Sequence, residues 1–157
     1  MGMTGCYIAV SEIELSKIIS GEMKIYPLLE DEHEQLDIDK AWDMLHFSLT
    51  GERGDGEAPM CYVVPLLQNQ GIDSDELDFG AGYLFPNQVK EASAYLETLT
   101  EEKIRELYDF DELTENEVYC VTNEEDDIDY ISSFLPDIKS FFEKASQANN
   151  AIVFLIL

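Results

Sequence analysis

The chain has 157 residues, enough for one domain with a real core, because folding at this size hides roughly 68–70% of the unfolded chain's surface. Its 34 Asp and Glu against nine Lys and Arg give a net charge of -25, while 45% hydrophobic content with eight Tyr and eight Phe rules out wholesale disorder. So acidic a surface repels phosphates and anionic headgroups, which argues against nucleic acid and membrane partners and favours a basic protein or a cation.

The three cysteines, Cys6, Cys61 and Cys120, are widely separated and never form a C-x-x-C pair. They suggest reduced thiols in a cytoplasmic protein rather than a disulfide framework or a zinc knuckle. The opening MGMTGCYIAV lacks the basic and apolar regions of a signal peptide, and Cys6 stands where a myristoylation pattern wants Ser or Thr. The longest apolar run, residues 151–157, is too short to cross a bilayer.

In chain order, residues 3–10 read as a strand that runs into a helix at Ser11, where Ser11 and Glu14 have capping-box spacing and Gly21 supplies a left-handed end. The acidic connection 30–35 leads into LDIDKAWDMLHFSLTG, residues 36–51, which predicts a helix between an Asp37 N-cap and a Gly51 C-cap. Its apolar stripe is Ile38, Ala41, Trp42, Leu45 and Leu49, and the positions of Met44 and Phe47 imply that the other faces are covered too. Residues 52–74, with GERGDGEAP at their head, read as a long and mobile loop interrupted by an apolar piece at 60–67. A strand at 77–85 and a helix beginning at Pro86 follow, then a short helix capped by Thr100. A last helical pattern starts in the acidic run 124–129 and is kinked or split by Pro136, before the apolar strand 151–157, which fits the middle of a sheet. These elements predict a single α+β domain over residues 1–157, with a mostly antiparallel or mixed sheet packed against several helices.

The run Asp37, Ile38, Asp39, Lys40, Trp42, Leu45, His46, Leu49, Thr50 and Gly51, the opening MGM-x-G, the phrase YLFPNQV and the apolar strand after a long helix resemble the YfbM-like family of bacterial proteins across essentially the whole chain. The resemblance implies a compact α+β domain and no established activity, since that family is known chiefly as a domain of unknown function.

The residues that could carry chemistry are few. On an ideal helix His46, Asp39 and Trp42 share one flank with Asp43 a step further round. A carboxylate beside an imidazole raises its basicity and fixes its tautomer, as a general base requires. His46 with Asp39 or Asp43, beside Trp42, is therefore the catalytic candidate for a small hydrolase. The bland alternative is a packed histidine bonding a carboxylate or carbonyl, with Trp42 in the core. Ser48 and Thr50 lack a nucleophile elbow, and Cys6 reads as core. His33 and His46 belong to no metal motif, Asp73, Asp75, Glu76 and Asp78 lack EF-hand order, and Gly51, Gly54 and Gly56 make no phosphate loop, so neither metal nor cofactor is expected. The leading reading is a non-catalytic acidic binding module, inhibitor-like or immunity-like, that engages a basic partner through Glu124, Glu125, Asp126, Asp127 and the 30–34 cluster.

Overall fold

The computed structural model describes residues 2–157. A five-stranded, wholly antiparallel sheet, in the order β2-β1-β5-β4-β3, runs through the middle of the domain. Strand β1 (Gly5–Val10) pairs along its full length with β5 (Ala151–Ile156), from Gly5 opposite Ile156 to Val10 opposite Ala151. The edges are short: β2 (Gln35–Asp37) beside β1, and β3 (Gly71–Ile72) beside β4 (Ala81–Leu84). Short edges leave few unpaired backbone groups to recruit another chain.

Alternation along β1 and β5 divides two cores. Tyr7, Ala9, Ile152 and Phe154 point into the larger one, and Ile8, Val10, Val153 and Leu155 into the smaller. The larger core is closed by α3 (Trp42–Thr50), α4 (Pro86–Thr98), α5 (Glu101–Leu107), α6 (Phe110–Glu115), α7 (Glu124–Ser133) and α8 (Leu135–Gln147). Leu15 and Ile18 of α1 (Glu12–Ser20) and Leu28 of α2 (Tyr26–Leu29) close the smaller one. Tyr7 anchors the first layer: its ring centroid lies 5.0, 5.5 and 5.7 Å from those of Phe154, Phe142 and Phe141, and its hydroxyl donates to the Val63 carbonyl at 2.6 Å. Each such aromatic pair adds roughly 0.5–1.5 kcal/mol beyond area burial.

The local signals act as their chemistry requires. Ser11 and Glu14 form a complete capping box on α1, and Gly21 and Gly51 end α1 and α3 in left-handed conformations, with φ of 83° and 75°. Thr100 caps α5, and the last helical pattern breaks into α7 and α8 at Phe134, with Pro136 in the first turn of α8. Two expectations are corrected. Asp37 does not cap α3: it belongs to β2 opposite Cys6, and a 3-10 turn (Asp39–Ala41) intervenes before the α-helix begins at Trp42. The segment after Gly51 is no free loop either, because Val63 and Val64 are fully buried against α3 and the sheet, and backbone bonds such as Asp55 N–H to the Leu66 carbonyl tie it down.

Candidate functional site

Helix α3 is buried on every side from Trp42 to Leu49, so its polar residues are held by the core rather than presented to solvent. His46 has 0% exposure, and its Nδ1 donates to the Val64 carbonyl at 2.7 Å. A carbonyl only accepts, which places the proton of the neutral ring on Nδ1. Nε2 has no hydrogen-bond partner, and burial holds the imidazole below its ordinary pKa, against the pull of the Val64, Asp55 and Gly54 carbonyls and the Asp43 charge. The ring is therefore neutral at pH 7 and enclosed.

Asp43, one turn earlier, is only 2% exposed. Its Oδ2 accepts from the Tyr119 amide at 2.9 Å and from Arg53 at 3.2 Å, which ties α3 to the segment before α7. Asp39 lies outside the α-helix, in the 3-10 turn, with φ of 50°. Its Oδ2 accepts from the Tyr130 hydroxyl at 2.6 Å, and the Tyr130 oxygen in turn accepts from the Lys40 amide at 3.0 Å. The ideal-helix alignment of Asp39, Asp43 and His46 is thus not realised: each makes its own bonds, and none of them joins the imidazole to a carboxylate. Trp42 lies in the core, its Nε1–H on the Met3 carbonyl at 3.0 Å and its ring 5.7 Å from that of Tyr119.

The α7 cluster also divides. Glu124, Glu125 and Asp126 are exposed; Glu125 pairs with Arg105 at 3.2 Å, and Asp126 accepts from Asn123, the N-cap of the helix. Asp127, expected on the surface with them, is instead 2% exposed. It accepts from the Tyr108 hydroxyl at 2.6 Å, the Thr122 hydroxyl at 2.6 Å and the Thr122 amide at 3.0 Å. Burial and this carboxylate push the Tyr108 phenol well above its ordinary pKa. In the 30–34 segment, His33 bridges Asp31 and Glu14, the latter at 2.7 Å.

Beside these residues opens a cleft of about 430 Å³ between the Asp39–Ala41 turn and the start of α7, bordered by Asp39, Lys40, Cys120, Thr122, Asp126, Asp127 and Tyr130. Burial, then the bond to Asp39, raises the Tyr130 phenol to about 12, so it stays a hydrogen-bond donor throughout the physiological range. Cys120, at φ of 69°, is the one half-exposed cysteine, whereas Cys6 and Cys61 are buried and their thiols pushed up in pKa by that burial. Sequence reasoning missed Arg53, Tyr108, Tyr119 and Tyr130, whose partners lie 10 to 91 positions away. Among the described residues, no group of three His, Cys, Asp or Glu side chains is arranged to hold a metal ion, and no helix is long and apolar enough to cross a membrane.

A family model described as "Domain of unknown function (DUF1877)" matches residues 1–155. The chain belongs to that family. Protein YfbM of Escherichia coli (strain K12) is 24% identical over 168 residues, which span 99% of this chain and 99% of the relative. The crystal structure described as "a Protein of Unknown Function YfbM from Escherichia coli" superposes with a TM-score of 0.76 at 23% identity, covering 99% of this chain and 100% of that one. At that identity the likeness establishes the shared α+β fold. In this DUF1877 domain the resemblance run over residues 36–51 spans β2, the strained turn at Asp39 and the buried helix α3, and so contributes both to the core and to one wall of the cleft.

Proposed function

We propose that this domain is a non-catalytic protein-binding module that engages a basic partner, as an inhibitor or immunity-type protein does, through the acidic face of α5, α6 and α7. One observation supports the reading. Thirteen of the 34 acidic residues fall between positions 101 and 129, and Asp127 alone among them is buried. The two basic residues of that stretch are already spent on it, Lys103 on Glu106 at 3.5 Å and Arg105 on Glu125 at 3.2 Å. Helix dipoles explain why Glu101, Glu102, Asp111, Glu112, Glu124 and Glu125 sit in first turns. They do not explain Glu115 and Glu117, which lie outside those turns, have no ion-pair partner among the described residues and enlarge the uncompensated field.

Such a field steers a positively charged surface toward this face and sets register more than raw affinity. A cytoplasmic setting suits the reading, because the free thiols of Cys6, Cys61 and Cys120 persist where glutathione keeps them reduced. The test is capture of partners from the host lysate on immobilised domain at low and high salt, repeated with Glu124, Glu125 and Asp126 replaced by Gln, Gln and Asn. A stoichiometric basic protein released by salt and lost in the triple variant is the expected result. Binding that is indifferent to both salt and variant would overturn the reading.

A further inference from the structure

Between α1 and β2 the chain makes an excursion, residues 22–34, that carries α2 over the smaller core. Ile25 and Leu28 are its buried contribution, packed in the cluster that includes Ile8, Val10, Leu15 and Ile18. The near end is tied by the Met23 amide on the Lys17 carbonyl at 3.1 Å and the Ile25 amide on Glu76 at 3.0 Å. The far end runs into β2, where Gln35 Nε2 donates to the Leu28 and Leu29 carbonyls. Among the described residues, one side-chain bond joins the excursion to α1: His33 Nε2 lies 2.7 Å from Glu14 Oε2.

The other ring nitrogen, Nδ1, meets Asp31 Oδ1. Both nitrogens thus face carboxylate oxygens, which only accept. The imidazolium, with two donors, satisfies both at once; a neutral ring has one donor and turns a lone pair toward the other carboxylate. No Lys or Arg among the described residues pairs with Glu14 or Asp31, not even Lys17, a turn beyond Glu14 on α1. The other charges beside the ring are acidic too: Glu30, Glu32 and Glu34 flank it in sequence and Glu12 precedes Glu14 on α1, while β1 meets the segment through the uncharged Ala9, whose amide bonds the Glu34 carbonyl. Burial opposes the ring's charge, but the bonds to Asp31 and Glu14 prevail and hold it above its ordinary pKa.

The two contacts are not equivalent. Asp31 is two residues away, and its Oδ1 also accepts the His33 amide at 3.0 Å, a local turn that persists whichever charge the ring carries. The single proton of the neutral ring therefore stays on Nδ1 toward Asp31, and Nε2 turns a lone pair on Glu14. Helix α1 does not depend on the histidine, because Glu14 Oε1 accepts the Ser11 amide at 2.8 Å in the capping box. Loss of one proton thus cuts the tie between elements and leaves both elements intact. We propose that His33 is a proton-operated latch: with the ring charged it holds residues 22–34 against α1, and with the ring neutral it releases them to open over the smaller core. Rising pH is the opening signal, and the apolar faces of Ile25 and Leu28 are what it gives to water.

The test is amide hydrogen exchange of the full chain from about pH 6 to about pH 8.5, corrected for the intrinsic rate, with the His33 ring followed by its own proton resonances. The ring is expected to titrate above 6.5. The bonded amides of Ile25, Leu28 and Glu30 are expected to exchange much faster than those of β1 and β5, through a local opening, and to lose protection roughly twofold to fivefold across that titration. Glu14→Gln keeps the capping box and offers a neutral ring a donor, so protection in that variant should no longer fall with pH. His33→Gln should also abolish the response. Asp31→Asn leaves the tie to Glu14 and should keep the response, moved to lower pH. A ring that titrates at or below 6.5, segment amides as protected as those of β5, or a fall that survives in Glu14→Gln would overturn the proposal. So would a response lost in Asp31→Asn as fully as in Glu14→Gln. The wild-type titration needs no variant, so the latch stays refutable even where a substitution disturbs α1.

Discussion

Replacing His46 with Ala separates a packing role from a chemical one. The imidazole is fully enclosed, so its removal leaves a cavity in a core that includes Met44, Leu45, Val63 and Val64. Large-to-small changes at such sites cost about 2–5 kcal/mol. The Val64 carbonyl also loses its donor at 2.7 Å, and an orphaned buried acceptor costs about 1–3 kcal/mol. Against this stands one offset, since Nε2 is itself unpartnered in the native fold and its loss relieves that burial. The net expectation is a loss on the order of 4 kcal/mol, which at about 2–4 °C per kcal/mol for a chain of this length lowers Tm by roughly 8–16 °C. Urea denaturation followed by circular dichroism reads the change as a lower midpoint with unchanged slope. The same ring gives an acid limb. Burial holds its folded pKa below the ordinary 6.5, so the unfolded chain takes up a proton first. Stability is thus complete above that value and is lost as pH falls through the folded pKa, a limb that His46→Ala removes. A variant with the wild-type midpoint and the wild-type acid limb would refute the packing argument and return His46 to consideration as a chemical group.

Three further outcomes are expected. Asp43→Ala strands the Tyr119 amide and frees Arg53, costing about 2–4 kcal/mol, whereas Asp43→Asn keeps an acceptor for the amide and should cost about half as much by the same denaturation assay; equal losses would show that the hydrogen bond is not what Asp43 supplies. His33 has the opposite sign to His46: its bonds to Asp31 and Glu14 outweigh burial and raise its pKa, so the contribution is full below pH 6.5 and fades as pH rises through the folded value. His33→Gln should flatten that alkaline-side fall by no more than about 1 kcal/mol in thermal melts across pH, and an unchanged profile would dismiss the clamp. Because the net charge of -25 repels itself, sodium chloride should raise Tm, and a Tm that falls with salt would mean that the acidic faces are not mutually destabilising.

What could be read from the sequence was what neighbouring residues decide among themselves. Ser11 with Glu14, Thr100, Gly21, Gly51 and Pro136 each act within a turn or two of helix, and the apolar run ending in Ile156 has no polar face to turn outward. Helix α6 went unread although Asp109 and Glu112 stand three apart at its start, because six residues give too little periodicity to notice. The error at Asp37 has a different origin: a fair N-cap by local rules was claimed by pairing with Cys6, and Asp39 took a left-handed turn to make the corner. The candidate site fared worst for the same reason. Whether His46 meets Asp43 or the Val64 carbonyl, and whether Asp127 faces water or Tyr108, depends on segments 18 and 19 positions away that carry no mark of the encounter.

The placement of β5 between β1 and β4 has a consequence for biosynthesis. Every helix of the larger layer leaves the ribosome before the strand on which the sheet is centred, so β1 waits for its longer partner through some 140 intervening residues. Until β5 arrives, β1 and β4 each expose a backbone edge that the finished fold conceals, together with the apolar faces meant for both cores. Folding is therefore completed only once β5 is available, and the chain before that point, strongly acidic yet edge-exposed, is the form of this protein with most need of a chaperone.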